Sequence, residues 1–416
     1  MDQKETKQFD GLDPDDIIDV IPLDDIQNGN VDLEEVLKNG VHHDMDEGDD
    51  DEIDYIEEDE EETQDDAVAH IRGHEKDVFT LDVLDGRYLV CGSEDDSASV
   101  WDLTKDLQNP AFFIKNHKDS VTQVKFNASK RLLATGDMSG KIVITDLLYQ
   151  AERCVLDDLS DLEWMVWHPQ ADILFAGGAD AMTMMWLISE QGVARSKVYM
   201  ARGGTCAAGK LIKEGSKLLC GYQDGTARIW NLKDSTHLEI VLGSPVTSID
   251  CHKLLNIAAI GTVAGKVTLI NTDSGKTIRV FDMAIVKPDG EEEDEESLNT
   301  IETLTFHSSE CWLAVGVNRG TLTIYDTTTG VNRFDHALDN ATCVKAAWYI
   351  TPHSKVLLIT VNSDGTITVF DGKNGTLQKT IHGGSDEIYD FVVDGDGNGT
   401  KIFTACAEGV VRVFDC

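Results

Sequence analysis

From residue 67 onward, apolar and polar positions alternate in short runs divided by turn residues, and the runs recur in register. An eleven-residue frame captures the period. It opens on small residues, passes through a polar turn that often carries Asp and then Gly, and closes on an alternating run whose last residue is usually aromatic. "CGSEDDSASVW" ends at Trp101, "TGDMSGKIVIT" at Thr145, "AGGADAMTMMW" at Trp186 and "CGYQDGTARIW" at Trp230. "IGTVAGKVTLI" ends at Ile270, "VGVNRGTLTIY" at Tyr325, "TVNSDGTITVF" at Phe370 and "TACAEGVVRVF" at Phe414. The steps between these ends are 44, 41, 44, 40, 55, 45 and 44 residues. Alternation with period two marks strands, and a repeat of this length accommodates one four-stranded propeller blade. The pattern predicts an all-β fold, an eight-bladed β-propeller over residues 67–416. Each frame covers the end of strand b, the b–c turn and strand c. The last frame stops at strand c, so "AVAHI" (67–71) is expected to supply the missing outer strand and close the ring.

Composition adds a second region. The chain of 416 residues has 76 acids against 35 lysines and arginines, a net charge of −41. Residues 1–66 hold 28 acids and 3 lysines, a net of −25. A stretch such as "DEGDDDEIDYIEEDEEE" (46–62) cannot bury enough apolar surface to offset its ordering entropy, so a disordered acidic tail is expected there. "DPDDIIDVIPLDDI" and "VDLEEVLKNG" within it interleave acids with aliphatic residues and are candidate linear motifs. The long step of 55 residues contains "PDGEEEDEES" (288–297), read as an acidic loop insertion at about 284–298 between two blades. Such a charge disfavours direct contact with nucleic acid or an anionic membrane and favours a basic protein segment, although acid also serves solubility. No secretory signal or membrane-inserting run is evident, and the nine scattered cysteines form no CxxC pair. A cytoplasmic protein is expected, with the nucleus as a second compartment, and a monomer.

Gly73-His74, Trp101-Asp102 and the Asp-Gly turns resemble WD repeats, over residues 67–416. Only Trp101 keeps the Trp-Asp pair. "DLEWMVWHP" (161–169), the acidic tail and eight degenerate repeats together resemble the angio-associated migratory cell protein family. The resemblance implies that His74 hydrogen-bonds Asp95 with Trp101 capping the pair, a structural network. Ser139, Ala264, Arg319 and Glu408 stand where four blades would carry that Asp, so those blades are expected to rest on apolar packing. The resemblance also implies a role like that of a fungal relative, a dedicated chaperone for a newly made large-subunit ribosomal protein. Animal members imply a signalling adaptor in cell migration instead, and a histone-binding propeller is a third reading.

The b–c turns and d–a loops share one face, here called the top. Residues entering the inner strands there are Asp77 in the first blade, Asp119 in the second, Asp161, Glu163 and Trp164 in the third, and Asp386, Glu387 and Asp390 in the eighth. With Glu291, Glu292, Glu293 and Asp294 of the insertion, these are the candidate partner-binding residues. Clustered carboxylates steer a cationic partner, and an aromatic anchors it. Alternation allows either Glu163 or Trp164 to face the channel, not both. No catalytic residues, metal or cofactor are expected. "DGDGNGT" (394–400) copies half an EF-hand loop but has Ala405 where the bidentate Glu belongs, and "CH" (251–252) lacks metal-ligand spacing.

Overall fold

The computed structural model describes residues 64–105, 107–283, 299–338, 341–384, 387–396 and 399–416. The acidic tail up to residue 63 and the insertion at about 284–298 lie outside them. The described chain forms eight four-stranded antiparallel sheets. Their inner strands are Val78–Leu84, Val121–Phe126, Leu162–Trp167, Cys206–Ile212, Val246–Cys251, Ile301–Phe306, Cys343–Ile350 and Ile388–Asp396. Each inner strand contacts the next, and the first contacts the last, so the blades close into a ring around a channel. The fold is an all-β, eight-bladed propeller.

The strands form because small and branched apolar residues alternate over three to nine positions between polar turns. Strand c of the first blade, Ala98–Asp102, is wholly buried, since both its faces meet neighbouring blades. The core is divided accordingly. Eight hydrophobic clusters each join two adjacent blades, as where Leu132, Ile144 and Leu156 of the second meet Trp167, Leu174 and Trp186 of the third. A blade therefore buries its apolar faces only against its neighbours.

The ring closes through the strand Ala69–Arg72. It pairs antiparallel with Val410–Asp415 and becomes the outer strand of the eighth sheet. Ile71 is buried there at 1% exposure. Just upstream the chain also grips the seventh blade: Asp66 N–H donates to the His382 carbonyl at 2.9 Å, and the Asp66 carboxylate accepts the His382 N–H at 2.9 Å. Among the described residues, no helix is long and apolar enough to cross a membrane.

Candidate functional site: the top of the channel

All eight inner strands share one irregularity. The pairing of strand a with strand b slips at the second residue of the inner strand in every blade. The slipped residues are Phe79, Thr122, Glu163, Ala207, Thr247, Glu302, Val344 and Tyr389, and none is buried. A bulge re-aims its side chain and bends the strand. Repeated eight times at one level, it makes a ring of side chains at the top of the channel.

This ring sorts the candidates. Glu163 occupies the bulge and is exposed, whereas Trp164, one residue on, is buried at 8% exposure. The Trp164 Nε1–H donates to the Cys206 carbonyl of the fourth blade at 2.9 Å. Its ring is wedged between two glycines: a Cβ on Gly177 would lie 2.3 Å from Nε1, and one on Gly209 2.2 Å from Cζ2. Trp164 is therefore an inter-blade wall and offers no face to a partner.

Asp390 is displaced from the rim for the same positional reason. It follows the bulged Tyr389 and is buried at 8% exposure. Its carboxylate pairs with Lys345 of the seventh blade and accepts the Leu81 N–H of the first at 3.0 Å. Burial raises its pKa, but the Lys345 and Lys125 charges and the hydrogen bonds from Lys345 and Leu81 together outweigh this and hold it below the ordinary carboxylate value. Asp82 with Lys125, at 3.9 Å, and Asp250 with Lys210, at 2.8 Å, repeat the arrangement at other seams. Each of these carboxylates also accepts a backbone N–H of the following blade, Phe126 at 2.8 Å and Phe306 at 2.7 Å. The channel wall is thus charge-balanced, and Asp390 is a brace within it.

Asp77 has a double role. One carboxylate oxygen accepts the Tyr389 hydroxyl at 2.8 Å, and the other accepts the Glu408 N–H at 3.0 Å, both across the closing seam. The same phenol also contacts the Glu387 carboxylate. Burial and the two carboxylates push the Tyr389 phenol far above its usual range. One phenolic proton thus serves two acids, and negative charge converges beside the edge-to-face pair of Phe79 and Tyr389, whose centroids are 5.2 Å apart. Asp119 and Asp161 are exposed on the same face. Burial and then the neighbouring Asp161 charge raise the Glu163 pKa. Asp386, Glu291, Glu292, Glu293 and Asp294 lie outside the described residues.

Sequence reasoning missed three rim residues. Phe79, Tyr389 and Glu302 all hold the bulge position, and burial raises the Glu302 pKa as it does that of Glu163. Aligning the eight inner strands on their second residue would have found them.

The buried network of the first blade lies beneath this face. His74 Nδ1 contacts Asp95 at 2.9 Å and its Nε2 contacts Ser99 Oγ at 2.7 Å, while Trp101 Nε1–H donates to that same hydroxyl at 2.8 Å. The second blade corrects the expectation drawn from Ser139. His117 contacts Asp137 at 3.2 Å and Thr135 at 2.9 Å, so the carboxylate comes from two residues earlier, at the end of strand b. Both side chains of that His117–Asp137 pair are completely buried.

Among the described residues, no group of three or more His, Cys, Asp or Glu is placed to hold a metal. Asp394 and Asp396 end the inner strand of the last blade, and Gly399 begins the next strand, Gly399–Cys406.

The WD domain, G-beta repeat family model matches residues 66–102 and 108–146. Over 360 residues the chain is 31% identical to the angio-associated migratory cell protein of Homo sapiens, covering 84% of this chain and 80% of that protein. The chain belongs to the angio-associated migratory cell protein family. A more distant relative of this family member is the ribosome assembly protein SQT1 of Saccharomyces cerevisiae, 23% identical over 409 residues that span 89% of this chain and 92% of that one. The crystal structure of Chaetomium thermophilum Sqt1 bound to the N-terminus of the ribosomal protein L10 superposes with a TM-score of 0.71. It is 20% identical and covers 85% of this chain and all of that one, a likeness of fold.

Proposed function

We propose that this family member is a non-catalytic binding protein whose top face captures a basic segment of a newly made large-subunit ribosomal protein. The observation that carries the reading is the seam between the eighth and first blades. There Asp77 and Glu387 share one phenolic proton beside the Phe79–Tyr389 pair, and exposed Asp119, Asp161 and Glu163 continue the acidic sector through the second and third blades. Carboxylates beside aromatic edges and faces suit guanidinium and ammonium groups. Support also comes from the relatives: one is a ribosome assembly protein, and another of this fold was crystallised with a ribosomal protein N-terminus.

The physical logic is exchange. A Lys/Arg-rich segment fresh from synthesis binds RNA indiscriminately, because phosphate attraction is independent of sequence. A carboxylate-lined rim shields it, and contacts dominated by charge are moderate enough to yield to the ribosome. The test is to purify the tagged, full-length protein with its nascent partners and identify what is bound. The reading expects a basic large-subunit ribosomal protein, and binding that the paired Asp161→Lys and Glu163→Lys changes weaken. Recovery of histones or membrane receptors in its place would overturn it.

A further inference from the structure

The outer strands of the eight blades are not alike. Each ends its sheet, with no strand beyond it among the described residues. Seven of them span three to six residues, from Phe112–Ile114 in the first blade to Leu377–His382 in the seventh. The outer strand of the third blade, Gly192–Met200, spans nine. At about 3.3 Å per residue this is an open edge of about 30 Å, with alternate backbone N–H and C=O groups directed away from the sheet.

Its charge is also exceptional. Gly192–Met200 carries Arg195 and Lys197 and no acid. No other outer strand has more than one Lys or Arg, in a protein of net charge −41. Neither cation is neutralised. Arg195 is exposed and has no hydrogen-bond or ion-pair partner among the described residues. The Lys197 ammonium donates to the Leu232 carbonyl at 3.2 Å and lies 4.7 Å from the Tyr199 ring centroid, with no carboxylate in contact among the described residues. The acids beside this strand in the fold are engaged elsewhere. Glu190, in the turn before it, contacts Arg131 at 3.4 Å, and Glu239, on the next blade's outer strand, pairs with Arg228 at 2.9 Å.

The strand also sorts its two faces. Arg195 and Lys197 stand opposite Leu187 and Met185 of strand c, whereas Val198 and Met200 stand opposite Met184 and Met182. Side chains alternate across a sheet, so the cations share one face and Val198 and Met200 share the other. Both of these apolar side chains are exposed, Met200 at 62%. Tyr199 between them is buried, which anchors the edge to the blade. A second copy of this chain suits the edge poorly. Antiparallel pairing of the whole strand with itself sets Arg195 opposite Lys197 twice, and like charges directly opposite are destabilising.

From this edge we infer a docking site for an extended acidic segment of another protein, added to the third blade as a fifth strand. The segment's backbone bonds to the unpaired N–H and C=O groups. Its carboxylates, at alternate positions, meet Arg195 and Lys197, and the aliphatic residues between them cover Val198 and Met200. The site is separate from the top rim and does not rest on the function proposed above.

Fluorescence anisotropy with labelled peptides and the full-length protein tests this. One peptide of about eight residues alternates Glu with Val. A second has the same composition with its glutamates grouped. A third is the first with alternate amides N-methylated, which removes its donors to the edge. The alternating peptide should bind, and the other two about tenfold more weakly or not at all. Arg195→Glu should weaken the alternating peptide about tenfold and Lys197→Gln less, while Asp161→Lys should match the wild type. Arg195 is exposed, so a matching thermal melt verifies the fold of that variant. Absence of binding, equal binding of the grouped or methylated peptide, or affinity unaltered by Arg195→Glu would each overturn the inference. A concentration-dependent dimer that excludes the alternating peptide would also overturn it, by giving the edge to a second copy.

Discussion

Lys345 and Asp390 are ion-paired across the seam between the seventh and eighth blades, and the same carboxylate accepts the Leu81 N–H of the first blade at 3.0 Å. One side chain therefore ties three consecutive blades where the ring closes. Asp390→Ala leaves a buried N–H unmet and a lysine unpaired, and should cost about 2–3 kcal/mol, with Lys345 partly screened by solvent. Asp390→Asn retains an acceptor and should cost about half as much. Urea unfolding measures both, and an Asp390→Ala curve that overlays the wild type would refute the brace. Because the folded pKa is lowered, this stabilisation is complete above the ordinary carboxylate range and is lost as pH falls through the folded value.

The buried histidines act at a higher pH. Burial lowers the pKa of His74 and of His117 despite the pull of Asp95 and Asp137. The unfolded chain thus takes up protons first, so stability is complete above about pH 6.5 and declines as pH falls toward the folded values. Unfolding free energy measured against pH should show this decline, and His117→Asn should flatten part of it. An unchanged slope in that variant would mean that His117 titrates alike in both states.

On the top rim, Asp161→Lys with Glu163→Lys should weaken binding of a basic peptide about tenfold at low salt and far less at high salt, because exposed charges are screened. The raised Glu163 pKa adds a pH signature: its charge is lost at a higher pH than that of an ordinary carboxylate. Affinity should therefore begin to fall on mild acidification, and less so in Glu163→Gln. Fluorescence anisotropy with a labelled Lys/Arg-rich peptide reads both effects, and affinity indifferent to salt would remove the electrostatic basis.

Deleting residues 66–72 removes the outer strand of the eighth sheet, buried Ile71 and the bonds from Asp66 to His382. Burial of one isoleucine contributes about 1.5–3 kcal/mol, and an open sheet edge invites association. A lower thermal midpoint with increased aggregation is expected. An unchanged melt would show that the ring does not depend on that strand.

Much of the architecture is legible in one dimension. Alternation over short runs and a recurrent turn determine strands, blades and their number, because both are local properties that repeat. The sequence alone also shows acids gathered where the eighth, first, second and third blades begin. Tertiary structure decided which of them face solvent. The bulge at the second residue of each inner strand exposes Glu163, leaves Tyr389 half-buried at the rim and turns Trp164 and Asp390 inward, and alternation cannot register such a slip. Only the packed ring brings Asp137 to His117, Asp77 to Tyr389, and Asp390 to both Lys345 and Leu81. The Asp77–Tyr389 and Leu81–Asp390 contacts join opposite ends of the chain, over separations that no local pattern encodes.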